Sequence, residues 1–463
     1  MNAADIRAVT IKELERRLCD FDAGQRRQAL AELARRAGAG DVHFRPSRGN
    51  VNLHMHTFFS YNAEGFSPSR IAWEAVKGDP ETGALDVAGI VDFDVLDGID
   101  EFLAAGDALA LRATVGLESR VFVREYADVE INSPGEPGVA YFMGMGFFRP
   151  PAEGGPGARV LAAMRALARG RNAQMAARVN AHLGPASVDY ARDVLALTPS
   201  GNATERHMLA AYEAAGARAF PDPAERARYW AERLGEPVGR VLEIAETPVR
   251  FRELLRSRLM KLGGIGYAAP ERGSFPALDD AIAMTAECEA LPTFTWLDGT
   301  SAGEADPEEL VRFHASKGVA ALNVIPDRNW RLADEAARRL KVANLHAIVA
   351  AAREAGLLVV HGTERNKDGQ PFADDLGNEH LAPVAEALRD GAYALYGHTA
   401  MARFAARPLT GAWAREAFSE AASRNRFYAE VGRLLPPGPG AGARLAAATR
   451  SEDPAAVLAA LRG

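Results

Sequence analysis

The chain has 463 residues, of which 48% are hydrophobic and 25% charged, with a formal net charge of −7. This is the composition of an ordinary globular protein, long enough for one large domain with insertions or two or three smaller ones, and its interspersed charges argue against the basic stripe of a nucleic-acid surface. Only Cys19 and Cys288 are present, the first 30 residues show no signal-peptide pattern, and no apolar run reaches roughly 18 residues, which excludes a disulfide framework, a Cys-type zinc site and a membrane span and makes a reducing cytoplasm the expected setting.

Residues 4 to 38 carry apolar residues at helical spacing and predict one or two helices capping the first strand, in a leading segment over 1–48. In Val51-Asn52-Leu53-His54-Met55-His56 the pattern changes to the period of a strand. Residues two apart on a strand share a face, so His54 and His56 project together, and imidazole is the commonest metal ligand. A polar loop, Ser60 to Gly65, follows. Ser67 is a plausible cap for a helix over 68–76. The apolar run 85–94 suits a buried parallel strand with Asp92 and Asp94 at its end. A helix over 97–107, a short strand over 113–117 ending in Glu118, and a strand over 139–146 come next. This alternation predicts a parallel sheet with crossover helices, whose chemistry gathers at the C-terminal strand ends. Three successive ends then offer His54/His56, Asp92/Asp94 and Glu118 at one rim. Each carboxylate alone reads as a helix cap; their coincidence points to a metal.

Residues 151 to 270 are rich in Ala and Arg at helical spacing and read as a helical insertion, with one helix over 188–197 and another opened by Glu205-Arg206-His207. Lys261 to Tyr267 is a glycine-rich loop with a lysine but without a phosphate-loop fingerprint, and reads first as an ordered crossover loop. Strands resume over 291–296, 319–325 and 356–360, ending at Asp298, at Asp327-Arg328 and at His361 to Asn366. The run 392–396 is read as a closing strand and 401–463 as a helical extension. Seven or eight strands in two parts, 49–150 and 271–400, fit one α/β barrel carrying a helical insertion.

Several motifs now have the right order to name a likeness. Leu53-His54-Met55-His56-Thr57 resembles the His-x-His-Thr motif of the PHP (polymerase and histidinol phosphatase) superfamily. Gly89 to Gly98 is similar to its Thr-Asp-His-Asp motif, Val115-Gly116-Leu117-Glu118 to its Gly-x-Glu, Tyr141 to Gly146 to its His-Ile-Leu-Gly-Tyr-Gly strand, Arg206-His207 to an Arg-x-His helix of the phosphoesterase branch, Pro292 to Gly299 to the His-Pro strand, and Gly362 to Asn366 to its Gly-Ser-Asp-x-His. The likeness spans roughly residues 50 to 400. It implies a distorted (β/α)7 barrel that binds two or three divalent ions, often zinc, manganese or iron, and hydrolyses phosphoesters. Phe93, Tyr141, Trp296 and Asn366 stand where the pattern has histidines, and Glu364 where it has Asp.

The resemblance therefore implies a reduced site. His54, His56, Glu118 and Glu364 are its expected metal ligands, holding one ion, with a second as the alternative. His361, outside the family pattern, is a further candidate ligand. Asp92 and Asp94 are expected to orient or deprotonate water, with Arg206 and His207 meeting an anionic substrate. Arg328, Arg365 and Asn366 are further candidates for substrate contact, since arginine forks onto phosphate or carboxylate, and Trp296 with Asp298 would suit stacking on a ring. The expected function is hydrolysis of a small anionic, phosphorylated metabolite. The alternatives are a metalloenzyme with other chemistry, such as isomerisation or C–N hydrolysis, and a non-catalytic binding protein.

Overall fold

The computed structural model describes residues 9–270, 273–367 and 369–463. The part of the first predicted helix before residue 9 lies outside the described residues. The rest of it forms two helices, Ile11–Arg17 and Ala23–Gly38, the second capped by Asp22 accepting from Gly24 and Gln25 amides. Seven strands follow: β1 (Ser47–Met55), β2 (Ala84–Phe93), β3 (Arg112–Phe122), β4 (Val139–Met145), β5 (Leu291–Trp296), β6 (Ala321–Val324) and β7 (Leu358–His361). They pair in chain order in one sheet. The two sheet edges meet at one parallel bridge, Met55 with Arg365, where the His56 amide donates to the Arg365 carbonyl (3.0 Å) and the Arg365 amide to the His54 carbonyl (3.1 Å). The sheet thus nearly closes into an α/β barrel, and it closes beside the histidine pair.

One strand runs against expectation. β4 is antiparallel to both β3 and β5, whereas β1–β2–β3 and β5–β6–β7 are parallel. A parallel connection needs a crossover of about a dozen or more residues, usually a helix. The connection between β3 (ending at Phe122) and β4 (starting at Val139) is long enough for that, but it carries no α-helix, only the 3-10 turn Arg124–Tyr126, and the chain turns back instead of crossing over.

Two other readings are corrected. Residues 392–396 are not a strand but the middle of the helix Ala385–Ala405. A five-residue apolar run looks alike in either state, and the glycines decide: a side chain on Gly391 would collide with the Val359 carbonyl, and one on Gly397 with that of Tyr428. The helix lies hard against β7 on one side and against the helix Ala421–Leu434 on the other. Residues 188–197 form no α-helix; they make a π turn, Tyr190–Val194, followed by a 3-10 turn.

The barrel core is continuous with the N- and C-terminal helices, joining Leu14, Trp73, Phe102, Phe142, Phe294 and Tyr428 in one buried cluster. The inserted helices Pro156–Leu183, Glu205–Ala219, Pro223–Leu234, Val238–Ala245 and Pro248–Leu259 bury a second cluster, with Tyr212, Trp230 and Leu255 at its centre. The insertion docks on the barrel mouth, where Asn202 Nδ2 donates to the carbonyls of Phe59 (3.1 Å) and Phe93 (2.8 Å). No helix of the described residues is long and apolar enough to cross a membrane.

Candidate metal centre

His54 and His56 lie on one face of β1, and Glu118 reaches them from β3 across β2, where it pairs with Phe93. His54 Nε2 lies 3.2 Å from Glu118 Oε2 and His56 Nε2 lies 3.3 Å from the same oxygen. One ligand atom from each of the three residues falls within 4.8 Å of the others, and all three residues are buried. Among the described residues no other group of three His, Cys, Asp or Glu converges in this way.

The surroundings fix His56. Ser60 Oγ donates to Asp92 Oδ1 (2.6 Å), and Asp92 also accepts from the Thr57 amide (2.8 Å) and the Thr57 hydroxyl (2.7 Å). With its proton committed to Asp92, Ser60 Oγ accepts from His56 Nδ1 at 3.1 Å. That assigns the proton to Nδ1 and leaves Nε2 as a lone pair. His56 Nε2 is buried with no hydrogen-bond partner and is directed at Glu118. A metal ligand whose other ring nitrogen is held through a hydroxyl by a carboxylate is the usual outer support of such sites. The ring also stacks on Phe93, with centroids 4.7 Å apart.

Electrostatics favours a positive charge at the centre of the group. Burial would push the Glu118 carboxyl up, but His54 and His56 outweigh it and hold it down at about 2. Burial works against a charged His54, yet Glu118, with help from Glu364, raises its pKa. Two imidazoles and a carboxylate that attract one proton offer a dication the donor set of an open catalytic site. Burial raises the Asp92 carboxyl, although its three hydrogen bonds oppose this.

The other candidate residues sit around this group or away from it. Asp94, at a positive φ of 59°, turns its carboxylate to the Ser119 hydroxyl (2.6 Å), and burial raises its pKa. Glu364 is at the rim, part-exposed and 3.7 Å from Arg328, close enough to act on His54 but outside the converged atoms. His361 faces Asp374 (3.8 Å) instead, and burial holds its pKa at about 3. His207 Nδ1 accepts from the Thr204 amide (3.1 Å), and burial lowers its pKa to about 4, so the ring is neutral with its proton on Nε2. It meets Tyr61 edge to face.

The expected anion contacts are already engaged. Arg206 pairs with Glu253 (3.1 Å), Arg328 with Glu364, and Arg365 with Glu64. Asp298 pairs with Lys341 (2.7 Å), and Trp296 is 1% exposed and lies in the core; Asn366 differs, its backbone N–H donating to Gln370 Oε1 (2.8 Å) while its side-chain Oδ1 is buried without a partner. Four cations gather near the mouth instead, of which sequence reasoning singles out only Lys261, in its glycine-rich loop. Arg120 and Arg171 both lie over the Phe275 ring, at 4.5 and 4.2 Å from its centroid. Arg256 and Lys261 share Glu205, at 3.2 and 3.0 Å. Arg120 was detectable, since it lies two residues beyond Glu118 on the same strand face; Arg171 and Arg256 come from distant helices and left no local signal.

No family model and no curated protein matches the sequence. Among solved structures the chain is similar to a candidate metal-dependent phosphoesterase from Bifidobacterium adolescentis, at 16% identity and a TM-score of 0.47, covering 74% of this chain and 98% of that one. It is also similar to an amidohydrolase from Chromobacterium violaceum solved with sulfate and without metal, at 15% identity and a TM-score of 0.43, covering 72% and 96%.

Proposed function

We propose that this protein is a metal-dependent hydrolase acting on a small anionic metabolite, with phosphoester hydrolysis the first reading. His54, His56 and Glu118 would hold one divalent ion, zinc, manganese or iron. The observation that carries the proposal is the convergence of three buried donor atoms at the barrel mouth, with the His56 Nε2 lone pair left unpartnered. A divalent ion bound there supplies Lewis acidity and lowers the pKa of water.

The chain's own residues do the remaining work. Asp92, through Ser60, keeps the His56 ring in one tautomer and one orientation. His207, neutral and protonated on Nε2, is a hydrogen-bond donor at physiological pH rather than a base. Tyr141 on β4 faces the same mouth; burial pushes its phenol up to about 12, so it too remains a donor. Glu364, at the rim, is the carboxylate placed to accept a proton. A second reading, a metalloenzyme with chemistry other than phosphoester hydrolysis, draws on the single three-ligand group among the described residues, because the two-ion clamp on attacking and leaving oxygens would need more ligands.

The test is elemental analysis of the purified protein beside three variants. The protein should carry about one equivalent of a transition metal. The double variant His54→Ala/His56→Ala should lose it. His182→Ala, whose Nε2 bonds the Arg233 carbonyl in the insertion, and His361→Ala should keep it. Equal metal content in all of them removes the case for this centre; where only the double variant loses metal, a screen of phosphate esters against amides separates the two chemistries in the metal-loaded protein.

A further inference from the structure

The barrel and the insertion have separate cores. Among the described residues the barrel's apolar cluster has no member between Met164 and Leu278, and the buried members of the insertion's cluster run from Ala176 to Met260. What joins the two at the mouth is polar. Asn202 donates to the Phe59 and Phe93 carbonyls, and Ser200 Oγ donates to Asp97 Oδ2 (3.1 Å). Arg252 reaches the Tyr61 hydroxyl at 3.5 Å, and His207 meets the Tyr61 ring edge on. Bodies that share no apolar core and touch through a small polar surface move relative to one another.

The chain passes between the two cores twice. Outward it follows the helix Pro156–Leu183, whose Met164 belongs to the barrel core and whose Ala176, Val179 and Leu183 belong to the insertion's. Gly170 lies between them and is the helix's one glycine beyond its first turn. It is exposed, and a Cβ there would meet no atom within 4 Å. No close approach requires glycine here, and glycine is the residue that holds a helix least firmly short of proline. The return limb, 260–276, has neither helix nor strand among its described residues. Arg171 donates to the Ser274 carbonyl, so the two crossings lie side by side and make one hinge.

The docked position shuts the site. His54 and His56 are 0% exposed and Glu118 3%, too little for a metabolite to reach their donor atoms. Phe93, whose carbonyl Asn202 holds, stacks on His56, and the segment carrying Asn202 leads directly into the helix that brings His207. We infer that the insertion is a lid, hinged at Gly170, which swings as one body off the ends of β1 and β2 to admit a ligand and closes to set the His207 donor over it. The inference rests on the proposed hydrolase only for what enters; the hinge and the docking contacts need no metal.

The experiment uses Val95, which is 0% exposed and stands between Phe93 and Asp97, the residues that hold Asn202 and Ser200. Chelator-treated Val95→Cys protein is exposed to iodoacetamide under conditions where modification is slower than reclosing, so that the rate reads the open fraction. Mass spectrometry separates the label at this position from any on Cys19 or Cys288. In this background Asn202→Ala, which removes two hydrogen bonds across the interface, should speed modification about tenfold. Gly170→Ala should slow it about fivefold, the ordinary difference between the two residues in a helix. Opening along a polar interface exposes little apolar surface, so the rates should depend only weakly on urea below the unfolding transition. Rates that rise steeply with urea in parallel with global stability, or that either substitution leaves unchanged, would overturn the lid. A protein that carries no metal yet shows these rates would defeat the hydrolase reading and leave the lid standing.

Discussion

Ser60→Ala isolates the support behind the metal centre. The hydroxyl is buried and makes two contacts, donating to Asp92 at 2.6 Å and accepting from His56 Nδ1 at 3.1 Å. Its loss leaves Asp92 with its two Thr57 donors and leaves the His56 Nδ1–H with nothing to bond. A hydrogen bond to a charged group is worth about 1.5–3 kcal/mol, so the metal-free variant should unfold in urea at a stability lower by about 2 kcal/mol. Free of its tether, His56 can rotate about χ2 and exchange which nitrogen faces Glu118. Loss of such an outer partner typically costs roughly 10- to 100-fold in metal affinity, or about 1.4–2.7 kcal/mol. Titration of Zn²⁺ and Mn²⁺ into apoprotein, wild type against Ser60→Ala, reads this directly. A variant that is destabilised yet binds metal with wild-type Kd would refute the argument and make Ser60 a packing residue only.

Gly362→Ala should be severely damaging, because a Cβ there would collide with Asn52 Oδ1 and with the His54 backbone and Cβ; overpacking of this kind costs about 1–3 kcal/mol or more, and thermal unfolding together with metal titration should show both stability and affinity falling. Glu205 gives a pH signature. Burial would raise its carboxyl, but Lys261 and Arg256 prevail and hold it at about 2. A depressed carboxylate stabilises the fold above its unfolded pKa of about 4.3 and loses that contribution as pH falls toward 2. Allowing for the partial exposure of both cations, this is on the order of 2 kcal/mol. Urea midpoints measured from pH 6 to pH 2.5 should fall less steeply in Glu205→Gln than in wild type; parallel curves would show that the pairing contributes nothing.

Local pattern made much of the barrel readable. Alternation over 51–56 placed two histidines on one face, and Glu118 stood at the end of a strand two positions along the sheet. The direction of β4 was not readable, because a strand's own residues say little about which way its neighbours run. Ala392 to Tyr396 misled because the information lay in the flanking glycines Gly391 and Gly397, whose meaning depends on the backbones packed against them. The arginines singled out from strand and helix ends, Arg206, Arg328 and Arg365, found carboxylates in space, while Arg171, Arg256 and Lys261 were brought to the mouth by an insertion whose docking no local pattern encodes.

The reversal of β4 has a mechanical result. A parallel fourth strand would release the chain at the mouth; this one releases it at the floor, where Met145 pairs with Leu291 at the start of β5. The 28-residue helix Pro156–Leu183 then has to climb back. At 1.5 Å per residue it is about 42 Å long. It is pinned low, where the Gly157 amide meets Glu287 (2.8 Å), and high, where Asn172 meets the Ala203 carbonyl (2.7 Å) and Arg178 the Gly266 carbonyl. It behaves as a mast whose length sets the azimuth of everything it carries. Adding one residue below Arg171 would swing that guanidinium by about 100° around the axis, out of the mouth, without altering any amino acid that faces it.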